Sequence, residues 1–373
     1  MQRDGVLAQG GRVNRIRKLA ADHRLETLAG LLALVGLLLV FSASRSSLQR
    51  GISEVFVKQA VWVAIGTAAF FWMHRVNYRA YRRYGAALYV GMLVMLIGVL
   101  AFGSGRAGRW IVIGGFRFQP SEFAKLFGIL SLAGYLAEKD PRRPGVFLGA
   151  LVLAGIPFFL IFEQPNLGTA IIFVLICLFM LYQQGITKRQ VAGMVGLVAA
   201  ASPVFWLFLE EYQRRRILVF LRPGLDPTGA GYNLMQSKIS IGSGGLIGKG
   251  YLRGDMTKLG FLPESHTDFI FCRLAEEFGL VGVTALLVVY YFFLREVLAI
   301  TASTRDNYAR LVGTGVLAMF FCQIAINLGM TLGLLPVAGI PLPFLSYGGS
   351  SLVVSMMAVG IMVNVRNNAT MLF

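Results

Sequence analysis

Charge is scarce in this chain, and acid is scarcer than base. Of 373 residues only 14% are charged, with 18 Asp and Glu against 35 Lys and Arg. Average soluble domains carry roughly 25% charged residues. With 56% apolar residues and a mean hydropathy of +0.67, there is too little polar surface for a soluble protein and too much apolar surface for a disordered one. Cysteine is limited to Cys177, Cys272 and Cys322, each inside an apolar run and without metal-ligand spacing. That excludes a disulfide scaffold or zinc site and leaves small buried hydrophobes. His23 and His74 have no ligand spacing either. Period-2 alternation is missing, which excludes an outer-membrane barrel. A cleavable signal is not expected: the first apolar run follows a basic stretch, is too long for a signal core and lacks a cleavage site.

What is present is long apolar runs. A helix needs about 20 apolar residues to cross a bilayer, and ten runs qualify: about 27–48, 56–74, 82–103, 120–138, 145–163, 167–184, 189–209, 267–295, 308–334 and 344–366. The expected fold is therefore an all-α polytopic membrane protein of ten transmembrane helices. Residues 1–26 form an N-terminal tail, 27–366 the membrane domain and 367–373 a C-terminal tail. Basic residues gather in the tail (Arg12, Arg15, Arg17, Lys18), after the second run (Arg75, Arg79, Arg82, Arg83) and after the fourth (Lys139, Arg142, Arg143). The loops 164–166 and 335–343 have none. The positive-inside rule places both termini in the cytoplasm. The excess of base is then a topology signal plus attraction to anionic lipid, and nucleic acid is not needed to explain it.

The opposite side is also basic. The long loop 210–266 holds Arg214, Arg215, Arg216, Arg222, Lys238, Lys249, Arg253 and Lys258, and the loop 104–119 adds Arg106, Arg109 and Arg117. Plain loop solvation and an anionic partner at the outer leaflet, such as a lipid diphosphate, are both consistent with this. Residues 233–241 have the pattern of a short interfacial helix. The stretch Gly242–Gly250 resembles a phosphate loop but fails in register, with Ser243 where glycine is required and Gly250 where Ser or Thr would bind magnesium. Its glycines are expected to serve close backbone packing.

Several residues carry chemistry. Glu264, His266 and Asp268 are three titratable groups within five residues at the outer start of the eighth run. They are an acid–base candidate, although Thr267 or Asp268 would equally cap the helix. Gln119-Pro-Ser-Glu-Phe-Ala-Lys125 opens the fourth run. Pro120 suits its first position, and Glu122 and Lys125 share a helix face. They either neutralise each other or line a polar cavity with Arg106, Arg109 and Trp110. Arg273, Glu276 and Glu277 lie inside the eighth run, with Arg273 and Glu277 one turn apart as a structural pair. Residues 329–351 contain Pro336, Pro341 and Pro343 close together, followed by Ser346. At membrane depth such a segment must be irregular and covered by protein or by a cavity.

The runs GMTLGLLPVAGIPLPFLSYGGSS, FLPESHTDFIF and QPSEFAK resemble the SEDS family, in its rod-shape rather than its division branch. The resemblance extends over nearly the whole chain from about residue 25. It implies a peptidoglycan glycosyltransferase that polymerises lipid II on the outer face of the bacterial cytoplasmic membrane with a class B penicillin-binding protein. It implies Asp268 as the catalytic residue, Trp110 as a required loop residue and Glu122–Lys125 as an ion pair. Substrate contacts are expected from Arg106, Arg109, Trp110, Glu122, Lys125, Lys258, Glu264, His266 and Ser346. Asp268 is expected to act as general base in an inverting displacement, with Mg²⁺ or Mn²⁺ bridging it to the diphosphate as a further expectation. The rival readings are a lipid II flippase, which broken helices near a cavity would suit, and a non-catalytic scaffold. No inverted repeat is visible between the halves, and charges at membrane depth are costly without a function.

Overall fold

The computed structural model describes residues 23–44, 53–103, 108–222, 224, 226, 229–255, 261 and 265–369. Each of the ten apolar runs meets a helix: α1 (Arg24–Ala43), α2 (Glu54–Arg75), α4 (Gly85–Phe102), α5 (Pro120–Leu136), α6 (Pro144–Phe162), α7 (Leu167–Gln183), α8 (Lys188–Phe208), α11 (Ile270–Ser303), α12 (Asn307–Thr331) and α13 (Gly349–Ala369). Shorter elements join them: α3 (Tyr78–Arg83), the hairpin β1 (Ile111–Ile113) and β2 (Phe116–Phe118), α9 (Glu211–Leu221) and α10 (Ala230–Ser243). Among the described residues, eight helices are long and apolar enough to cross a membrane; α5 and α7 have 17 residues each. The chain is a multi-pass membrane protein.

Local chemistry sets the helix starts. Pro120 and Pro144 open α5 and α6, where their missing N–H costs nothing. Ser53, Asn166 and Asp306 accept N-cap bonds for α2, α7 and α12. Thr187 and Gln190 form a capping box on α8.

Polar contacts define two faces. At one face, which holds both described chain ends, Arg366 pairs with Glu26 at 2.6 Å. Tyr78 Oη donates to Asp306 at 2.9 Å, and Asn307 Nδ2 to the Ala137 carbonyl at 2.6 Å. At the far face Gln119 N donates to Ser350 Oγ at 2.8 Å, and Asn166 Nδ2 to Ser121 Oγ at 3.1 Å. The helices thus alternate in direction, as the charge pattern requires. The core lies along α12 and α13; every residue from Gly349 to Val365 is buried. α8 has no buried residue and turns apolar side chains such as Val195, Val198 and Leu207 outward.

The eighth run departs from its sequence reading. Its helix starts at Ile270, runs on to Ser303, and is interrupted at Gly279 (φ 61°, ψ −158°). An unbroken helix of 34 residues would be about 50 Å long, well beyond the roughly 30 Å apolar core of a bilayer. The break leaves a short far-face leg, 270–278, and a spanning leg, 280–303. The glycine-rich loop fills the break: Leu280 N donates to Gly245 O at 3.0 Å, and Gly250 N to Glu277 O at 2.9 Å. A Cβ on Gly244 or Gly248 would come within 2.0 or 2.1 Å of the carbonyls of Ala275 and Glu277. The expectation of close backbone packing holds.

The expected interfacial helix exists as α10, longer than 233–241. It is packed into the body rather than lying on an interface. Ser237 Oγ donates to Thr331 O at 2.9 Å, and Ser240 Oγ to Cys272 O at 3.3 Å. The last helix reaches Ala369, three residues into the segment read as a tail.

Candidate active site

Asp268 lies in the turn 265–269, not in the first turn of a helix. The N-cap of α11 is Phe269, whose side chain makes no cap bond. The turn is instead fastened to the irregular segment 332–348. Asn327 Nδ2 donates to the carbonyls of Asp268 (3.0 Å) and Ile340 (2.7 Å). Ser346 Oγ donates to Thr267 O at 2.7 Å and accepts from Leu342 N at 2.8 Å. Tyr347 N donates to His266 O at 2.8 Å, and the His266 and Tyr347 ring centroids are 5.5 Å apart. These bonds fix the backbone on both sides of Asp268.

The segment 332–348 dips into the bundle, as its prolines require. Tyr290 Oη donates to Pro343 O at 2.6 Å, and Gly36 of α1 faces the Phe344 carbonyl so closely that a Cβ would lie 2.3 Å from it. Protein covers its deepest stretch, residues 342–346, where irregular backbone at membrane depth must be sheltered.

Gly339, at φ 67°, is the point where the site closes. A Cβ there would lie 3.4 Å from Asp268 Oδ2 and 3.6 Å from Arg216 Nη1. A carboxylate and a guanidinium therefore face one position across a glycine. The Arg216 guanidinium lies 5.6 Å from the Tyr212 ring centroid, and Tyr212 Oη donates to Pro165 O at 2.5 Å. Burial pulls the Arg216 guanidinium below the usual arginine range; the charges of Asp268 and Tyr212 oppose this, and Arg109 adds to it. Burial pushes the Tyr212 phenol up, against the nearby arginines. Arg109 lies 6.0 Å from the Trp110 ring centroid. Its Nε is shielded and has no hydrogen-bond partner among the described residues. Two guanidiniums and one carboxylate thus share one mouth, suited to a polyanion beside a group that loses a proton.

Arg216 was not singled out by the sequence reading, which saw only three consecutive arginines. Successive helix residues point about 100° apart, and each arginine finds a different partner. Arg214 donates to the Leu207 carbonyl, Arg215 pairs with Asp226, and Arg216 turns toward Asp268. Gln213 and Val219 are the buried residues of α9, and Arg216 stands three residues from each, on the same face; that face is set by packing, which the sequence alone does not mark.

Other expected site residues are placed differently. Lys125 Nζ donates to both carboxylate oxygens of Glu122 at 2.9 Å, and the residues are 1% and 2% exposed. The pair neutralises itself inside the bundle and does not line an opening. Opposite charges three residues apart on a helix meet each other before they meet a cavity. Ser346 is buried and braces the Asp268 turn. Trp110 is partly buried beside Arg109. Arg106, Lys258 and Glu264 lie outside the described residues.

A family model described as a cell cycle protein, FTSW_RODA_SPOVE, matches residues 22–371. The chain belongs to the FtsW/RodA/SpoVE family. Among similar members, the peptidoglycan glycosyltransferase MrdB of Escherichia coli K12 is 41% identical over 346 residues, covering 90% of this chain and 92% of that protein. The peptidoglycan glycosyltransferase RodA of Treponema pallidum is 32% identical, covering 89% and 94%. A solved chain described under the structural coordination of polymerization and crosslinking by a peptidoglycan synthase complex superposes with a TM-score of 0.80 at 28% identity, covering 92% of this chain and 97% of that one. Family membership accounts for the three motif runs together: QPSEFAK opens α5, FLPESHTDFIF contains the Asp268 turn, and the proline-rich run fastens that turn in place.

Proposed function

We propose that this family member is a peptidoglycan glycosyltransferase that polymerises lipid II into β-1,4-linked strands for cell elongation and rod shape. The far face is the outer face of the bacterial cytoplasmic membrane, and both termini are cytoplasmic. All ten helices α1, α2, α4–α8 and α11–α13 span it. The crosslinking partner is a class B penicillin-binding protein.

The observation that carries this reading is the convergence of Asp268 and Arg216 on one point at Gly339. As the acceptor's 4-hydroxyl attacks the donor's anomeric carbon, its proton passes to Asp268. The new C–O bond forms while the bond to diphosphate breaks, and polyprenyl diphosphate leaves with the electron pair. Arg216 and Arg109 stabilise the charge that develops on that leaving group. Diphosphate drawn to Arg216 diverts the guanidinium from Asp268 and leaves the carboxylate the stronger base. A retaining route needs a second carboxylate about 5 Å from the first. Glu276 and Glu277, the nearest in sequence among the described residues, are buried in bonds to Lys249 and Arg273, so the displacement inverts.

Arg216 already supplies the positive charge that a divalent cation would bring to Asp268. No group of three His, Cys, Asp or Glu gathers among the described residues. A Mg²⁺ or Mn²⁺ would therefore be held by Asp268 together with the substrate's diphosphate, where it would neutralise charge on the leaving group.

The test is strand formation from purified lipid II by the purified chain, with and without a class B penicillin-binding protein. Wild type is expected to form strands. Asp268→Ala is expected to form none, while keeping the wild-type melting profile because backbone bonds hold the turn. Full activity in that variant would remove Asp268 as the base.

A further inference from the structure

Toward the face that holds the chain ends, α4, α5, α6 and α7 stand apart around a cavity of about 420 Å³. It is remote from the Asp268 turn, and the proposed reaction does not use it. Its inner wall is apolar, formed by Leu132, Leu153, Ala154 and Phe173. The wall's polar groups are turned into the helices: Ser131 Oγ donates to Gly85 O at 3.0 Å, and Tyr89 Oη to Leu153 O at 3.1 Å. Phe173 lies against Gly128 of α5. A Cβ on Gly128 would lie 2.5 Å from the Phe173 ring. From Tyr135 to Gly128 along α5, both on the wall, the cavity is about 10 Å deep.

The mouth has the opposite character. Arg82 and Arg83, at the end of α3, line it. Arg82 pairs with Glu138. Arg83 lies 6.0 Å from the Tyr84 ring centroid and has no carboxylate partner among the described residues. Arg75 and Arg79 belong to the same stretch of chain. An apolar cavity of this kind does not hold water, and within a bilayer it fills with hydrocarbon. A chain seated there leaves its head at the arginines, where negative charge is favoured.

We propose that this cavity binds an acyl chain of an anionic glycerophospholipid from the leaflet at the terminal face. Its phosphate is held by Arg83 and by Arg82 in exchange for Glu138.

The full chain, purified in detergent, is titrated with dioleoyl phosphatidylglycerol or dioleoyl phosphatidylcholine, and retained lipid is read by native mass spectrometry. Phosphatidylglycerol is expected to be retained in preference, by about fivefold for each arginine engaged. Arg83→Gln, a surface change, should cut that preference about fivefold, and Arg82→Gln/Arg83→Gln should abolish it. Ala154→Phe, which places a ring in the cavity, should lower retention of both lipids. A phosphatidylglycerol carrying a diazirine at the end of one chain should crosslink to α5, α6 or α7, which tests occupancy in the wild-type protein whatever the fate of the variants. Equal retention of the two lipids by wild type, or crosslinks confined to other helices, would overturn the proposal. Displacement of the lipid by inorganic phosphate would overturn it too, since it would reveal an anion site without a chain.

Discussion

The proposed chemistry of the far face rests on single side chains held by their neighbours' backbones. Asn327, with both its amide hydrogens on carbonyls of the Asp268 turn and the facing segment, positions the carboxylate; Ser346 and Tyr347 do the same from the other side. Arg216 is the residue whose role is sharpest to test. Replacing it by Gln removes the charge that faces Asp268 and is expected to lower kcat by about 10²–10³, with the melting temperature unchanged. Arg216→Lys keeps the charge but loses the planar fork, and is expected to fall between the two in the same lipid II assay. Equal loss in both variants would mean that fork geometry, not charge, is what the site needs.

At the scale of elements, the broken helix α11 is the feature that shapes the far face. Gly279 has a backbone conformation open essentially to glycine alone, and a Cβ there would lie 2.4 Å from Gly248 N. Gly279→Ala is expected to force the loop 244–250 out of the break. The result would be a fall in melting temperature and protease cleavage within that loop. The same leg carries a buried network: Arg273 Nη2 sits 2.7 Å from Glu277 Oε1, Ser42 Oγ donates to Glu277 Oε1 at 2.6 Å, and Lys249 reaches Glu276 at 2.9 Å. Arg273→Met would remove the ion-pair partner of the buried Glu277, costing about 3–5 kcal/mol. Arg366→Met, at the half-open Glu26 pair, would cost about 1 kcal/mol or less. Chemical denaturation of the two variants side by side gives the difference; similar losses would mean that the α11 network is solvated.

For the whole molecule, the alternation of helix direction and the clustering of base on one face make one prediction. Cys177, Cys272 and Cys322 are buried, so an introduced thiol can be labelled alone. Val112→Cys, on the exposed hairpin, should react with an impermeant maleimide in intact cells. Lys188→Cys, at the start of α8, should react only after permeabilisation. The reverse pattern would invert the assigned orientation.

The sequence by itself determined what depends on neighbours in the chain. Uninterrupted apolar runs gave the helices, since each must bury its own backbone in lipid. The cation distribution gave an expected orientation. The spacing of Glu122 and Lys125 gave their pairing, and the proline cluster gave an irregular segment. The three motif runs gave the family. Tertiary structure decided what depends on residues far apart. It broke α11 at Gly279, because a loop some thirty residues upstream enters there. It closed the Glu122–Lys125 pair inside the bundle, where the sequence left an open cavity as an alternative. It turned Ser346 into a brace for a turn 79 positions away. It also chose Arg216 from three adjacent arginines, because only the face of α9 that carries Gln213 and Val219 packs inward, and that face meets Asp268.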